Sequence, residues 1–92
     1  MRNNRTLTNE ATPPPDNDEN MGGPNNEDRA QCALAGLLGF IDACATDDQD
    51  AVADLLCNLM HLCDRMPKTY GAFDDAMRRA LSNYEAEITP AN

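Results

Sequence analysis

The chain has 92 residues, enough for one small domain. Its 16 acidic against 7 basic residues give a formal net charge of −9. A surface so charged repels nucleic-acid backbones and anionic lipid at long range, which argues against direct nucleic-acid or membrane binding.

Residues 1 to 26 are rich in Asn, Thr, Pro, Asp and Gly and hold almost nothing large and apolar. Such a segment does not bury enough surface to offset its ordering entropy, so it reads as a disordered tail. Pro13-Pro14-Pro15 favours a short polyproline II stretch, and Met21-Gly22-Gly23-Pro24 reads as a flexible break. No apolar segment of signal-peptide type follows Met1. The apolar run from Ala33 to Ile41 is far shorter than the roughly 20 residues of a membrane helix. The cytoplasm is the expected location.

The tail leaves residues 27 to 88 as the foldable part, with 89 to 92 as a short C-terminal tail. A domain of that size buries only about 60% of its unfolded surface. Two Phe, two Tyr and no Trp make its core aliphatic and sulfur-rich. A partner subunit is therefore a physical expectation, and a homodimer is one form of it.

A first helix is expected from near Asn26 to about Ala45, with Glu27 and Asp28 suited to its first turn. Leu34, Leu37, Leu38 and Ile41 form a bulky stripe along it. Cys32, Gly36, Gly39 and Ala43 form a stripe of small residues roughly opposite. Two glycines inside a helix cost about 1 kcal/mol each against Ala, which the close approach of another helix would offset. An exposed side that merely tolerates them is the equal alternative.

Thr46-Asp47-Asp48-Gln49 has the form of a reciprocal capping box for the next helix. So short a link predicts an antiparallel hairpin. The second helix is the clearest amphipathic one. Val52, Leu55, Leu56, Leu59, Met60, Leu62, Cys63 and Met66 lie on one side, and Asp54, Cys57, Asn58, His61, Asp64 and Arg65 on the other. Pro67 stops it near Arg65 or Met66, and residues 67 to 72 are expected to form a loop.

A third helix from about Ala72 to Glu87 carries Phe73, Met77, Ala80, Leu81, Tyr84 and Ile88 as its apolar stripe. Asp74 with Arg78, and Asp75 with Arg79, are i,i+4 pairs in the favourable acid-first order. Thr89-Pro90 ends it. No segment alternates with period two. The predicted fold class is all-α, an antiparallel helical hairpin plus a third helix in a small three-helix bundle.

The four cysteines all fall inside predicted helices, with Cys63 on the apolar face. That placement favours structural thiols in a reducing compartment over a disulfide framework. Cys57, His61 and Asp64 share one face of the second helix, and Cys and His four apart can reach one metal ion. A closed zinc site needs four ligands, and the other helices supply no second His and no Cys-x-x-Cys, so a solvated polar face is the stronger reading. Asp47-Asp48 and Asp74-Asp75 each lie at a helix start, where carboxylates stabilise the helix dipole. No catalytic constellation, cofactor motif or small-molecule substrate site is expected.

Asp42, Asp47, Asp48, Asp50 and Asp54 gather around the first inter-helix turn, whereas Arg65, Lys68, Arg78 and Arg79 come later. The acidic tip is a candidate partner-binding surface, able to steer a basic partner or to imitate nucleic acid in a phosphate-binding groove. The small stripe of Cys32, Gly36, Gly39 and Ala43 is the second candidate, for partner binding or self-association.

Asp54-Leu55-Leu56-x-x-Leu59-Met60-His61-x-x-Asp64 and Phe73-x-x-Ala76-x-x-Arg79-Ala80-x-x-x-Tyr84-Glu85-Ala86-Glu87 resemble helices of small proteins encoded by bacteriophages and mobile elements of bacteria. The likeness covers about a third of the chain. It departs from the pattern at Asn58, where an acid is usual, and at Asn83, where a His is usual. The resemblance implies a mobile-element origin and no particular activity. Small acidic proteins of such elements include inhibitors of host defence, of anti-CRISPR and anti-restriction type, which act by binding.

These readings converge on a non-enzymatic acidic helical protein that acts by binding another protein. The alternative is an inhibitor of a host-defence nuclease complex, working through an acidic surface that imitates nucleic acid. A metal-binding module comes third.

Overall fold

The first helix begins where Asn25 and Asp28 close on each other. The Asp28 amide donates to the Asn25 side chain at 2.8 Å, and the Asn25 amide donates to the Asp28 carboxylate at 3.1 Å. This reciprocal box satisfies two of the amides that a helix start leaves free. In the computed structural model, which describes residues 7–17 and 23–89, it opens α1, Asn26–Cys44. Glu27 and Asp28 occupy the first turn as expected. The described residues are all-helical, without a strand.

Helix α1 ends on Ala45 in the left-handed region, φ 53° and ψ 43°, with its amide bonded to the Ile41 carbonyl at 2.8 Å. That reversal displaces the expected Thr46 capping box. The next helical bond runs from the Asp50 amide to the Asp47 carbonyl, one residue too late for Thr46 to serve as cap. A single 3-10 turn, Asp48–Asp50, forms instead and leads into α2, Ala51–Arg65. Neither start has a side-chain cap.

Pro67 stops α2 as predicted, but residues 67 to 70 are not loop. They wind into one further turn, α3, Pro67–Tyr70. Proline suits a first helical position, because its missing N–H is an unused donor there. Gly71, at φ 78° and ψ −170°, breaks this turn and lets Ala72 open α4, Phe73–Ile88. In α4 the Asp75 carboxylate pairs with Arg78, at i,i+3 rather than the expected i,i+4. Thr89 closes the helix with both its amide and its hydroxyl on the Glu85 carbonyl.

Helix α2 is the hub, in contact with α1, α3 and α4. Helices α1 and α4 are tied at their ends, where Arg29 Nε lies 3.3 Å from the Glu87 carboxylate and Asn26 Nδ2 donates to the Glu87 carbonyl at 3.0 Å. Residues 7–17 of the tail carry neither helix nor strand. Two of them nevertheless join this knot. The Asn17 amide donates to the Glu87 carbonyl at 2.8 Å, and the Asp16 carboxylate accepts from the Asn26 amide at 2.8 Å. The Met21-Gly22 break and Pro90 lie outside the described residues.

Little is buried. Among the described residues only Ala51 and Cys63, both on α2, are shut from solvent. Leu34, Leu37, Leu38 and Ile41 of α1 are half-buried, as are Leu55 and Leu59 of α2 and Phe73 and Met77 of α4. The inner part of each apolar stripe therefore faces other helices without being sealed by them, whereas Leu62 on α2 and Ala80, Leu81 and Tyr84 of the expected α4 stripe are exposed. The Cα radius of gyration is 15.1 Å, against about 12 Å for a compact chain of this length.

Candidate interaction surface

On α2 the apolar arc splits into a covered and an open part. Leu55, Leu59 and Cys63 turn inward. Val52, Leu56 and Met60 follow one another at four-residue steps, which aligns them as a ridge along the helix. They remain 61%, 38% and 50% exposed. Met66 and Tyr70 extend the open apolar surface beyond the end of α2.

Beside the ridge runs a groove of about 370 Å³. Ala30, Ala33, Leu34 and Leu37 of α1 form one wall, and Val52, Leu55 and Leu56 of α2 form the other. No charged or hydrogen-bonding side chain lines it. Alanine at 30 and 33 keeps the α1 wall low, and this shapes the groove. The bulky stripe alone does not reveal these two alanines, each of which stands four residues before a groove leucine, Leu34 and Leu37.

The small stripe behaves differently. Cys32, Gly36, Gly39 and Ala43 are all exposed, roughly opposite Leu34 and Leu37, which face α2. A methyl group added at Gly36 or Gly39 meets no other heavy atom within 4 Å. Among the described residues none makes the close approach that would offset the cost of these glycines.

The acidic residues are all exposed and follow one stretch of chain. Asp42 lies in the last turn of α1, Asp47, Asp48 and Asp50 in or next to the 3-10 turn, and Asp54 in the first turn of α2. No Lys or Arg occurs between Arg29 and Arg65. The helix dipole accounts for Asp54, which sits at the positive end of its helix. It does not account for Asp42, which sits at the negative end of α1, where no basic residue answers it.

Cys57, His61 and Asp64 are all exposed on the outer face of α2. Among the described residues no three His, Cys, Asp or Glu side chains come together as metal ligands would. All four cysteines are free thiols, and Cys63 alone is buried. Arg65 turns back to donate to the His61 carbonyl at 3.0 Å, a C-terminal cap.

No described helix is long and apolar enough to cross a membrane. A scan against family models and searches of curated proteins and solved structures find no match to this chain.

Proposed function

We propose that the chain is a non-enzymatic helical binding protein whose contact surface is the ridge and groove of α1 and α2. One observation carries this reading. Among the described residues only two small ones are buried, while Val52, Met60 and Tyr70 stay at least half exposed. Large apolar surface left bare beside a groove without polar lining is the usual mark of a protein contact. A partner seated there would complete the bundle that the apolar stripes of the three long helices call for.

The test uses the full chain as bait in an extract of its native host, beside Leu56→Glu and Met60→Glu. A protein retained by the parent and lost by both variants supports the reading. Identical captures by all three would refute it.

A second reading is favoured by the cation-free stretch from Ala30 to Asp64 and by Asp42 at the wrong end of its helix. Here the acidic tip occupies a phosphate-binding groove of a host-defence nuclease complex, as expected of an inhibitor from a phage or mobile element of a bacterium. Binding of this kind weakens steeply with salt and is lost in Asp47→Asn with Asp48→Asn. Binding through the apolar face keeps its strength under the same changes.

A further inference from the structure

We propose that residues 13 to 17 are a releasable strap, which latches the start of α1 to the end of α4 and opens as one unit while the helices stay folded. The inference is independent of the contact surface on α1 and α2.

The strap gives each helix end the group that it lacks. The first turn of α1 leaves amides without acceptors, and the last turn of α4 leaves carbonyls without donors. Asp16 supplies a carboxylate, which accepts from the Asn26 amide at 2.8 Å. A carboxylate also suits the positive start of a helix. Asn17 supplies donors: its Nδ2 donates to the Ala86 carbonyl at 3.0 Å and its amide to the Glu87 carbonyl at 2.8 Å. Just before them, Pro13 and Pro14 border a cavity of about 330 Å³ whose other walls include Ala30 of α1 and Tyr84 and Ile88 of α4. Proline fixes its own φ, so this stretch has less conformational freedom to lose when it docks.

The same contacts make the strap easy to lift. Residues 8 to 15 are exposed, and Asp16 and Asn17 are half-buried, so little apolar area holds the segment down. Contacts of that kind open locally at a lower cost than global unfolding. The helices keep other ties when it leaves. Arg29 and Asn26 of α1 still reach Glu87, and α2 still contacts both α1 and α4. Because Asp16 and Asn17 are neighbours in the chain, the tie to α1 and the tie to α4 loosen together.

The experiment follows amide hydrogen exchange residue by residue, by NMR, in the full chain and in Asp16→Ala, Asp16→Asn and Asn17→Ala. Each rate is taken against that of an unstructured chain of the same sequence. In the parent the Asn17 and Asn26 amides are expected to be protected, yet less so than the Leu59 amide in the middle of α2. A lone cap affects only its own bond, whereas in a strap the effect crosses over. Asp16→Ala is expected to speed exchange at Asn17, whose acceptor on α4 is untouched. Asn17→Ala is expected to speed it at Asn26, whose acceptor Asp16 is untouched. Each change is expected to be about three- to tenfold. Asp16→Asn retains an acceptor oxygen and should keep most of the protection, and Leu59 should exchange at the parent's rate throughout.

Asn17 and Asn26 amides that exchange in the parent as freely as an unstructured chain overturn the proposal. So does an effect confined to the bond that each substitution removes, which would make Asp16 and Asn17 two independent caps. Loss of protection at Leu59 in step with Asn26 overturns it as well, because the segment would then belong to the global fold and not open by itself.

Discussion

Replacing Gly39 with Ala separates the two readings of the small stripe on α1. An added methyl at this position meets no heavy atom within 4 Å, so the free chain offers no clash. The change then reduces to helix propensity, where Gly is about 0.8 to 1.0 kcal/mol worse than Ala. For a domain of this size, 1 kcal/mol moves the melting temperature by about 4 to 8 °C. Gly36→Ala has the same open surroundings, and the two share no partner, so the double variant should gain about 2 kcal/mol. Thermal unfolding followed at 222 nm by circular dichroism gives the shift, and sedimentation of the same samples gives the mass. The stripe lies roughly opposite the leucines that face α2, so the mass should not change. A double variant that melts lower than the parent, or differs from it in mass, would mean that another helix packs tightly on Gly36 and Gly39 and that the α2 ridge is not the main contact.

Three other substitutions test the local geometry, each read as a shift in the unfolding midpoint. Ala45 holds a left-handed conformation that costs an L-residue about 1 to 2 kcal/mol. Ala45→Gly removes that strain and gives back part of the gain as unfolded-chain entropy, for a net stabilisation of about 0.5 to 1 kcal/mol. Gly71, at φ 78° and ψ −170°, occupies a region essentially confined to glycine, so Gly71→Ala should destabilise by about 1 to 3 kcal/mol. Asn25→Ala removes the acceptor for the Asp28 amide and should cost about 1 kcal/mol, with fraying confined to the start of α1 in hydrogen exchange.

Helix extents were legible because their signals are local. Asn, Glu and Asp cluster where α1 starts, Pro67 stands where α2 stops, and Asp74 and Asp75 open α4. The same locality misled at Thr46. The capping pattern was present, but the left-handed Ala45 set the chain direction first, and the helical bonds began at Asp47. The turn Pro67–Tyr70 was missed because Lys68, Thr69 and Tyr70 give no apolar period, leaving only proline at a first position as its mark. Nothing in the composition of the tail announced that Asp16 and Asn17 would bond to Asn26 and Glu87, some 10 and 70 residues away.

The candidate surface was legible in its residues and not in its exposure. Helical periodicity fixes the direction a side chain takes from its own axis, and so it placed Val52, Leu56 and Met60 with Leu55, Leu59 and Cys63 on one apolar side. Which of these is covered depends on where a second helix crosses, and side-chain period carries no information about that. In this chain α1 and α4 reach Leu55, Leu59 and Cys63 and stop short of the outer row. The apolar arc on α2 is therefore wider than its own helices can cover. With only two of the described residues buried, a partner on that arc would add stability, and stability gained by association rises with the partner's concentration. Melting temperature should therefore climb when the partner is added, whereas a self-sufficient monomer would melt at one temperature throughout.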